Sequence, residues 1–157
     1  MKRNTKPQYF FQIAKACAGR STCLRWHVGV TIVDQWGTIV STGYNGSASN
    51  KTDCIDRGYC WRMENNIEHG SHYEKCFAVH AEANAIMQAG KEARGCSMYL
   101  TTYDENWNLV YNLPCMMCIR LMLNAGIYEL FVEHPVDGFI QLDVSNLYDI
   151  IHEPMMI

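Results

Sequence analysis

The spacing of hydrophobic positions changes along this chain, and each change marks a predicted element. Apolar residues recur at helical spacing over residues 7–18, and Gly19 is a stop signal. Residues 28–34 and 38–42 are instead β-branched and apolar, and residues 35–37 between them are turn-like. We therefore predict a helix followed by a β-hairpin at the edge of a sheet.

The second half of the chain alternates strand-like and helix-like segments. Helix-like segments begin at His80 and Cys115 and end at Gly90 and Gly126. The tail adds one apolar stretch and then a short apolar pattern that predicts no definite element. Strand-like segments cover residues 97–102, 107–111 and 127–133, and the apolar stretch of the tail covers residues 139–144. Strands that alternate with helices favour an α/β domain in which helices cover a sheet.

Between these two halves, residues 51–76 show no regular period. This segment contains Cys54, Cys60 and Cys76, with His69 and His72 between them. Long ordered loops in compact domains are usually functional or held in place by a specific interaction. A bound metal ion is one interaction that would hold this loop.

Composition narrows the class of protein. A length of 157 residues fits a single domain over residues 1–157, and a net charge of -3 gives no basic surface for a polynucleotide. No run of 18 apolar residues occurs, and no apolar signal core follows the basic start. We therefore expect a cytoplasmic protein that binds no membrane. Eight cysteines are many for that compartment, which favours metal ligation over disulfides.

Two short motifs carry the candidate chemistry. The first is His80-Ala-Glu82, and the second is Pro114 followed by Cys115-x-x-Cys118. A catalytic zinc takes three protein ligands and keeps one open position, and His80 with the two cysteines supplies three. Glu82 then remains free to move protons. A core histidine beside an ordinary glutamate, or a structural zinc knuckle, would explain one half alone. Both halves in this order are the signature of a zinc-dependent nucleobase deaminase.

The predicted helices explain why this arrangement would work. Cys115 and Cys118 are three residues apart, so one helical turn directs both sulfurs the same way. Helix N-termini favour negative charge and lower the pKa of thiols there. An activated water would attack the amine-bearing carbon of a pyrimidine while Glu82 carries protons to the ring nitrogen and the departing amine. The products would be ammonia and a carbonyl.

The chain also resembles a known family between Ala14 and Val132. The resemblance rests on six segments: residues 21–25 (Ser-Thr-Cys-Leu-Arg), 28–29 (Val-Gly), 43–46 (Gly-Tyr-Asn-Gly), 80–86 (His-Ala-Glu-Ala-Asn-Ala-Ile), 114–118 (Pro-Cys-Met-Met-Cys) and 124–127 (Asn-Ala-Gly-Ile). On these segments it resembles the deoxycytidylate (dCMP) deaminases of the cytidine deaminase superfamily. Bacterial competence-operon-type and phage enzymes are the nearest look-alikes.

The resemblance implies a three-layer α/β/α fold around a mixed five-stranded sheet. It implies that Asn45 contacts the deoxyribose, that Ala81 contacts substrate and that Arg25 lies near the 5′-phosphate. Cysteines at four positions have counterparts in competence-type relatives and would hold a second, structural zinc: Cys23, Cys54, Cys60 and Cys76. His69 or His72 could replace one of them, and the alternative is that the four are packing cysteines or reactive thiols.

The sequence departs from the family pattern in three places. Trp26-His27 stands where relatives commonly have Arg-Gln, so His27 is a rival to Arg25 for the phosphate. Residues 103–113 form a longer segment than is usual before Pro-Cys, and this segment would lie beside the active site. Residues 132–135 read Val-Glu-His-Pro and lack the tyrosine often found there, so no residue is assigned to stack on the base.

These observations predict an enzyme that deaminates dCMP to dUMP and ammonia and so supplies thymidylate synthesis. The alternatives are a deaminase of another cytosine nucleoside or base, and a non-catalytic zinc-stabilised accessory module. Glu82 argues against the module, since a structural knuckle has no use for a free carboxylate there. The resemblance further implies a homo-oligomer, a dimer or hexamer, and raises dCTP with Mg²⁺ and dTTP as effectors.

Overall fold

Five strands form one mixed sheet in the computed structural model, which describes residues 2–152. The strands of the chain are β1 (His27–Val33), β2 (Ile39–Tyr44), β3 (Gly46–Ser47), β4 (Ala78–Val79), β5 (Ser97–Tyr103), β6 (Glu129–His134) and β7 (Gly138–Asp143). The sheet has the order β2-β1-β5-β6-β7, and the β5–β6 pair is parallel whereas the other pairs are antiparallel. The two-residue strands β3 and β4 pair with each other outside this sheet.

Helices cover both faces of the sheet. They are α1 (Lys6–Ala18), α2 (Cys54–Arg57), α3 (Trp61–Glu64), α4 (Ala81–Ala89), α5 (Met116–Ala125) and α6 (Val144–His152). The larger core cluster joins residues of α4, α5 and α6 to one face of β1 and β5. A smaller aromatic cluster lies on the other face, under α1. This arrangement confirms the predicted three-layer α/β/α fold and its mixed five-stranded sheet. None of the helices in residues 2–152 has the length and hydropathy of a transmembrane segment.

The predicted helix ends agree with the structure. Gly19, Gly90 and Gly126 are the C-caps of α1, α4 and α5. Gly126 has φ 82°, a left-handed conformation that glycine adopts without strain. At the N-terminus of α1, Thr5 and Gln8 form a capping box. Local sequence signals therefore set the lengths of these helices.

Two side chains fasten α4 to β2. The Ser41 hydroxyl donates to the Ala85 carbonyl at 2.8 Å, and this contact is buried. The side-chain amide of Asn84 donates to the Tyr44 carbonyl, also at 2.8 Å. Because buried polar groups stabilise a structure only when they are paired, these bonds fix the start of α4 at the end of the strand.

The predicted strand over residues 107–111 is wrong. The structure has a single isolated bridge there, between Tyr103 and Leu109. The Asp104 carboxylate instead accepts hydrogen bonds from the backbone N–H groups of Asn106 and Asn108. Trp107 between them takes φ 62°, so the chain forms a tight side-chain-capped turn where a strand was expected.

The aperiodic segment holds more regular structure than its sequence predicts. It contains α2, α3 and a 3₁₀ turn at Tyr73–Lys75, and β4 follows directly. The short apolar pattern in the tail corresponds to α6, whose buried residues are Val144 and Leu147.

Candidate metal centre and catalytic cavity

Two helix starts bring the three predicted metal ligands together. His80 is the N-cap of α4 and Cys115 is the N-cap of α5, with Cys118 in the first turn of α5. The His80 Nδ1 atom lies 3.4 Å from each of the two cysteine Sγ atoms. The ligand atoms all lie within 4.8 Å of one another. In residues 2–152, this is the one cluster of three or more such groups at metal-binding distance.

The chemistry of this cluster fits a zinc ion. One imidazole nitrogen and two sulfurs are the soft and borderline donors that zinc prefers, and three protein ligands leave a fourth position open. A hydrogen bond from the Cys118 thiol and the adjacent His80 ring lower the pKa of the Cys115 thiol to about 4, against the effect of burial. The contact with Cys115, together with burial, raises the pKa of Cys118. A metal cation that displaces the shared proton would leave both sulfurs as thiolates.

Glu82 is buried beside this cluster. Only 5% of the residue is exposed, and it lies in the first turn of α4, two residues after His80. Burial raises the pKa of its carboxyl group, although the adjacent His80 opposes that shift. Because desolvation disfavours the charged form, this carboxyl can hold a proton closer to neutral pH than an exposed glutamate can. That property is the one a proton shuttle requires.

A cavity of about 260 Å³ opens onto the cluster. His80, Glu82 and Cys115 contribute to its lining at the metal end. The residues predicted to contact substrate also line it: Arg25, Asn45 and Ala81. The structure therefore brings two of the three predicted ligands, the predicted proton shuttle and the predicted substrate contacts to one cavity.

Asn45 uses its side-chain amide within the protein. Its Oδ1 atom accepts from the Val28 N–H at 2.9 Å, and its Nδ2 atom donates to the Trp26 carbonyl at 2.8 Å. The residue is 6% exposed. Asn45 thus holds the backbone that leads from Arg25 into β1, besides lining the cavity. The amide keeps one N–H and one lone pair for a ligand.

His27, the alternative to Arg25 for contacting the phosphate, does not line the cavity. Its ring stacks on Trp107 with centroids 4.3 Å apart and planes 2° apart. Burial lowers the pKa of His27, and the nearby Asp104 carboxylate opposes that shift. The longer segment before Pro114 is thus packed onto the start of β1, and its end reaches the cavity through Asn112 and Leu113.

Several cavity residues were missed because the segment that carries them has no sequence period. Arg62 and Tyr73 belong to this group, and both line the cavity. Arg62 is 6% exposed, and charged side chains are almost never buried to this extent unless they are paired. The only signals in the sequence are the length of this aperiodic segment and the cysteines and histidines that it contains.

The four cysteines predicted for a second zinc line the same cavity: Cys23, Cys54, Cys60 and Cys76. They are absent from the ligand cluster found in residues 2–152, so their sulfurs are not gathered as His80 and its partners are. The four thiols are nevertheless close enough to affect one another's pKa values. Burial and then repulsion from Cys23 raise the pKa of the Cys54 thiol, with smaller effects from the other two. Burial also raises the pKa of Cys76.

The chain is similar to known proteins over the region that contains these motifs. Residues 4–134 match the model of the cytidine and deoxycytidylate deaminase zinc-binding region. A deoxycytidylate deaminase of Schizosaccharomyces pombe is 32% identical over 121 residues, 77% of this chain and 34% of the relative. A deoxycytidylate deaminase of Mycobacterium phage D29 is 32% identical over 130 residues, 81% of this chain and 93% of the relative.

A solved structure has the same fold. The dCMP deaminase of cyanophage S-TIM5, in its apo form, superposes with a TM-score of 0.61 at 21% sequence identity. That match covers 96% of this chain and 94% of the phage chain. Several curated relatives are much longer, since this chain spans only about a third of the length of the S. pombe protein.

Proposed function

Because this chain belongs to the cytidine and deoxycytidylate deaminase family, we propose that it hydrolyses dCMP to dUMP and ammonia. The observation that carries the proposal is the buried Glu82 carboxyl beside His80, Cys115 and Cys118, in one cavity with Arg25. Relatives at 32% identity that bear the name deoxycytidylate deaminase support the choice of substrate. The product would supply thymidylate synthesis.

In this proposal His80, Cys115 and Cys118 hold a zinc ion. Zinc bound there would supply a Lewis acid that lowers the pKa of water to roughly 7. Glu82 would carry one proton of the attacking water to the ring nitrogen while the water oxygen bonds to the amine-bearing carbon. It would then carry the second proton of that water to the amine, so that the C–N bond breaks, ammonia leaves and the carbonyl remains. Its raised pKa matches both directions of transfer, because the group must be deprotonated in one step and protonated in the next.

The remaining cavity residues bind and orient the nucleotide. Arg25 is a half-buried cation on the cavity wall, and guanidinium groups bind phosphate oxygens through paired hydrogen bonds. We assign it to the 5′-phosphate. Asn45 would use its remaining amide capacity on the deoxyribose, and the backbone of the fully buried Ala81 would contact the base beside Glu82.

The proposal includes a second, structural zinc and regulation by nucleotides. The former is supported by the position of Cys23, Cys54, Cys60 and Cys76 around one cavity. Activation by dCTP with Mg²⁺, inhibition by dTTP and assembly into a dimer or hexamer rest on the family resemblance. A cytoplasmic location is supported by the eight cysteines, all of which are free of disulfides.

Ammonia release from zinc-loaded protein tests the proposed function. The substrates are dCMP, deoxycytidine and cytosine, and dCMP is also assayed with dCTP or dTTP added. We expect the highest kcat/KM for dCMP. A higher value for deoxycytidine or cytosine would assign the enzyme to another cytosine substrate. No turnover of any of the three would indicate a zinc-stabilised module without catalytic function.

A further inference from the structure

A buried arginine organises one wall of the cavity. We call residues 68–73 the wall segment. The Arg62 guanidinium donates from Nη1 to the Ser71 carbonyl at 2.6 Å and from Nη2 to the Glu68 carbonyl at 2.7 Å. Hydrogen bonds from a charged donor are stronger than neutral ones, and this donor is only 6% exposed. Arg62 therefore fixes the wall segment at two points.

The same guanidinium fixes the aromatic ring at the end of the wall segment. The central carbon of Arg62 lies 4.6 Å from the centroid of the Tyr73 ring, a cation–π contact. The Tyr73 hydroxyl accepts a hydrogen bond from the Gly70 N–H at 3.1 Å. One face of the ring and its hydroxyl are thus occupied by partners from the protein. The orientation of the ring is set before any ligand enters.

Tyr73 is also next to the metal centre. Its ring meets the His80 ring edge to face, with centroids 4.8 Å apart and planes 78° apart. Tyr73 is half-buried and lines the cavity together with Arg62 and His80. A ligand in this cavity whose reacting atom lies at the metal centre beside His80 would therefore lie close to this ring.

We propose that Tyr73 is the residue that contacts the pyrimidine ring of the substrate, and that Arg62 positions it. This inference rests on the proposed function, because a cytosine base must present its amine-bearing carbon to the metal centre. The base is a flat aromatic ring, and aromatic pairs prefer offset or edge-to-face contacts of the kind that Tyr73 already makes with His80. The aperiodic loop would thus supply the base contact that the residues after Phe131 lack.

The geometry argues against a direct role for Arg62 in binding phosphate. Both of its Nη atoms already donate to carbonyl groups, and Tyr73 covers a face of the guanidinium. These contacts commit two of its five N–H groups and one of its faces to the protein. Arg62 is for this reason a positioning residue, and Arg25 remains the cation available to the phosphate.

Steady-state kinetics of zinc-loaded variants test this inference. Tyr73→Leu removes the ring, Tyr73→Phe keeps the ring but loses the bond from Gly70, and Arg62→Lys keeps the charge but loses the planar fork. Tyr59→Leu is the matched control, because Tyr59 is an aromatic of the same loop that is 41% exposed and outside the cavity lining. Zinc content and the unfolding temperature are measured for each variant.

We expect Tyr73→Leu to raise KM for dCMP roughly 2- to 12-fold with little change in kcat or zinc content. A base contact present in both the ground state and the transition state acts on KM in this way. Tyr73→Phe should recover most of that loss, and Tyr59→Leu should behave as the unaltered protein. As a single substitution, Arg62→Lys should also raise KM. In a Tyr73→Leu background it should cause no further increase, since Arg62 acts through Tyr73.

Three outcomes would overturn the inference. The base contact is wrong if Tyr73→Leu leaves KM unchanged, or if Tyr73→Phe raises KM as much as Tyr73→Leu does. The positioning role of Arg62 is wrong if the effects of Arg62→Lys and Tyr73→Leu on KM are additive. If Arg62→Lys fails to fold, the two Tyr73 variants still decide the base contact. A failure of the proposed function looks different, because the unaltered protein would then not turn over dCMP at all, and the inference would fall with it.

Discussion

Gly43 in β2 lies against the backbone of Ala81 at the start of α4. A Cβ atom added at position 43 would lie 2.3 Å from the Ala81 carbonyl oxygen and 2.6 Å from the Ala85 nitrogen. Both are backbone atoms, so neither can rotate away. The strand and the helix can approach this closely only because position 43 has no side chain. Ala81 stands between His80 and Glu82, so this contact helps to place both residues.

Gly43→Ala should therefore destabilise the protein and disturb the metal centre. Relieving the clash requires movement of β2 or α4, and overpacking of this kind typically costs about 1–3 kcal/mol. Thermal unfolding measures the loss, and zinc content shows whether α4 has shifted. Thr42→Ala, at the neighbouring strand position, is the control and should cost less. Equal unfolding temperatures for Gly43→Ala and the unaltered protein would show that the contact is not tight.

The stack of His27 on Trp107 predicts an abnormal titration. Burial lowers the pKa of His27 below the ordinary histidine value of 6.5. Trp107→Ala should raise that pKa toward 6.5 by exposing the ring, as followed by the NMR shifts of the imidazole protons during a pH titration. Trp36→Ala is the control, since Trp36 is 78% exposed. A His27 pKa that is equal in both variants would contradict the role of the stack.

The same shift gives the sign of a pH effect on stability. The folded protein favours neutral His27, so the unfolded chain binds more protons in the range between the lowered pKa and 6.5. The contribution of His27 to stability is therefore complete above that range and is lost as the pH falls through it.

Arg25→Ala should separate the phosphate from the rest of the substrate. Each charge-assisted hydrogen bond lost should lower kcat/KM for dCMP roughly 10- to 150-fold. The slow reaction with deoxycytidine, which lacks the phosphate, should barely change. His27→Ala should leave the ratio of the two substrates unaltered, because its ring faces Trp107 and does not line the cavity. Equal losses for both substrates in Arg25→Ala would remove Arg25 from the phosphate site.

Metal analysis should give about two zinc ions per chain if both proposed sites are occupied. Cys115→Ser should lose one zinc together with activity. Cys54→Ser should lose the other zinc together with stability. Cys17→Ser, outside both sets, should keep both metals. A single zinc in the unaltered protein would contradict the structural site and leave the metal centre intact.

The metal centre was predictable because its ligands coincide with local signals. His80 and Cys115 each precede an apolar helical pattern, and both turn out to be N-caps. Helix geometry then determines where Glu82 and Cys118 lie relative to them. The layered fold followed from the alternation of strands and helices for the same reason. The pairing of the two motifs came from their known order in zinc deaminases, because His80 and Cys115 are 35 residues apart.

The wall segment and the segment before Pro114 were not predictable in this way. Their shapes depend on bonds between side chains and backbone, such as Arg62 to the Glu68 carbonyl and Asp104 to the Asn108 N–H. Such bonds leave no periodic trace in a sequence. The residues around Trp107 are typical of a strand, and the Asp104 turn overrides that preference. A contact such as Tyr73 with His80 is visible only once the loop is folded.

The central claim is that Glu82 moves protons for a zinc-dependent deamination of dCMP. The most direct measurement is kcat for zinc-loaded Glu82→Gln on dCMP, with zinc content determined on the same sample. Glu92→Gln is the matched control, because Glu92 is exposed and does not line the cavity. We predict that Glu82→Gln keeps its zinc and loses roughly 10²- to 10⁴-fold in turnover, as expected when a general acid–base group is removed. Turnover near that of the unaltered protein, with zinc bound, would contradict the account.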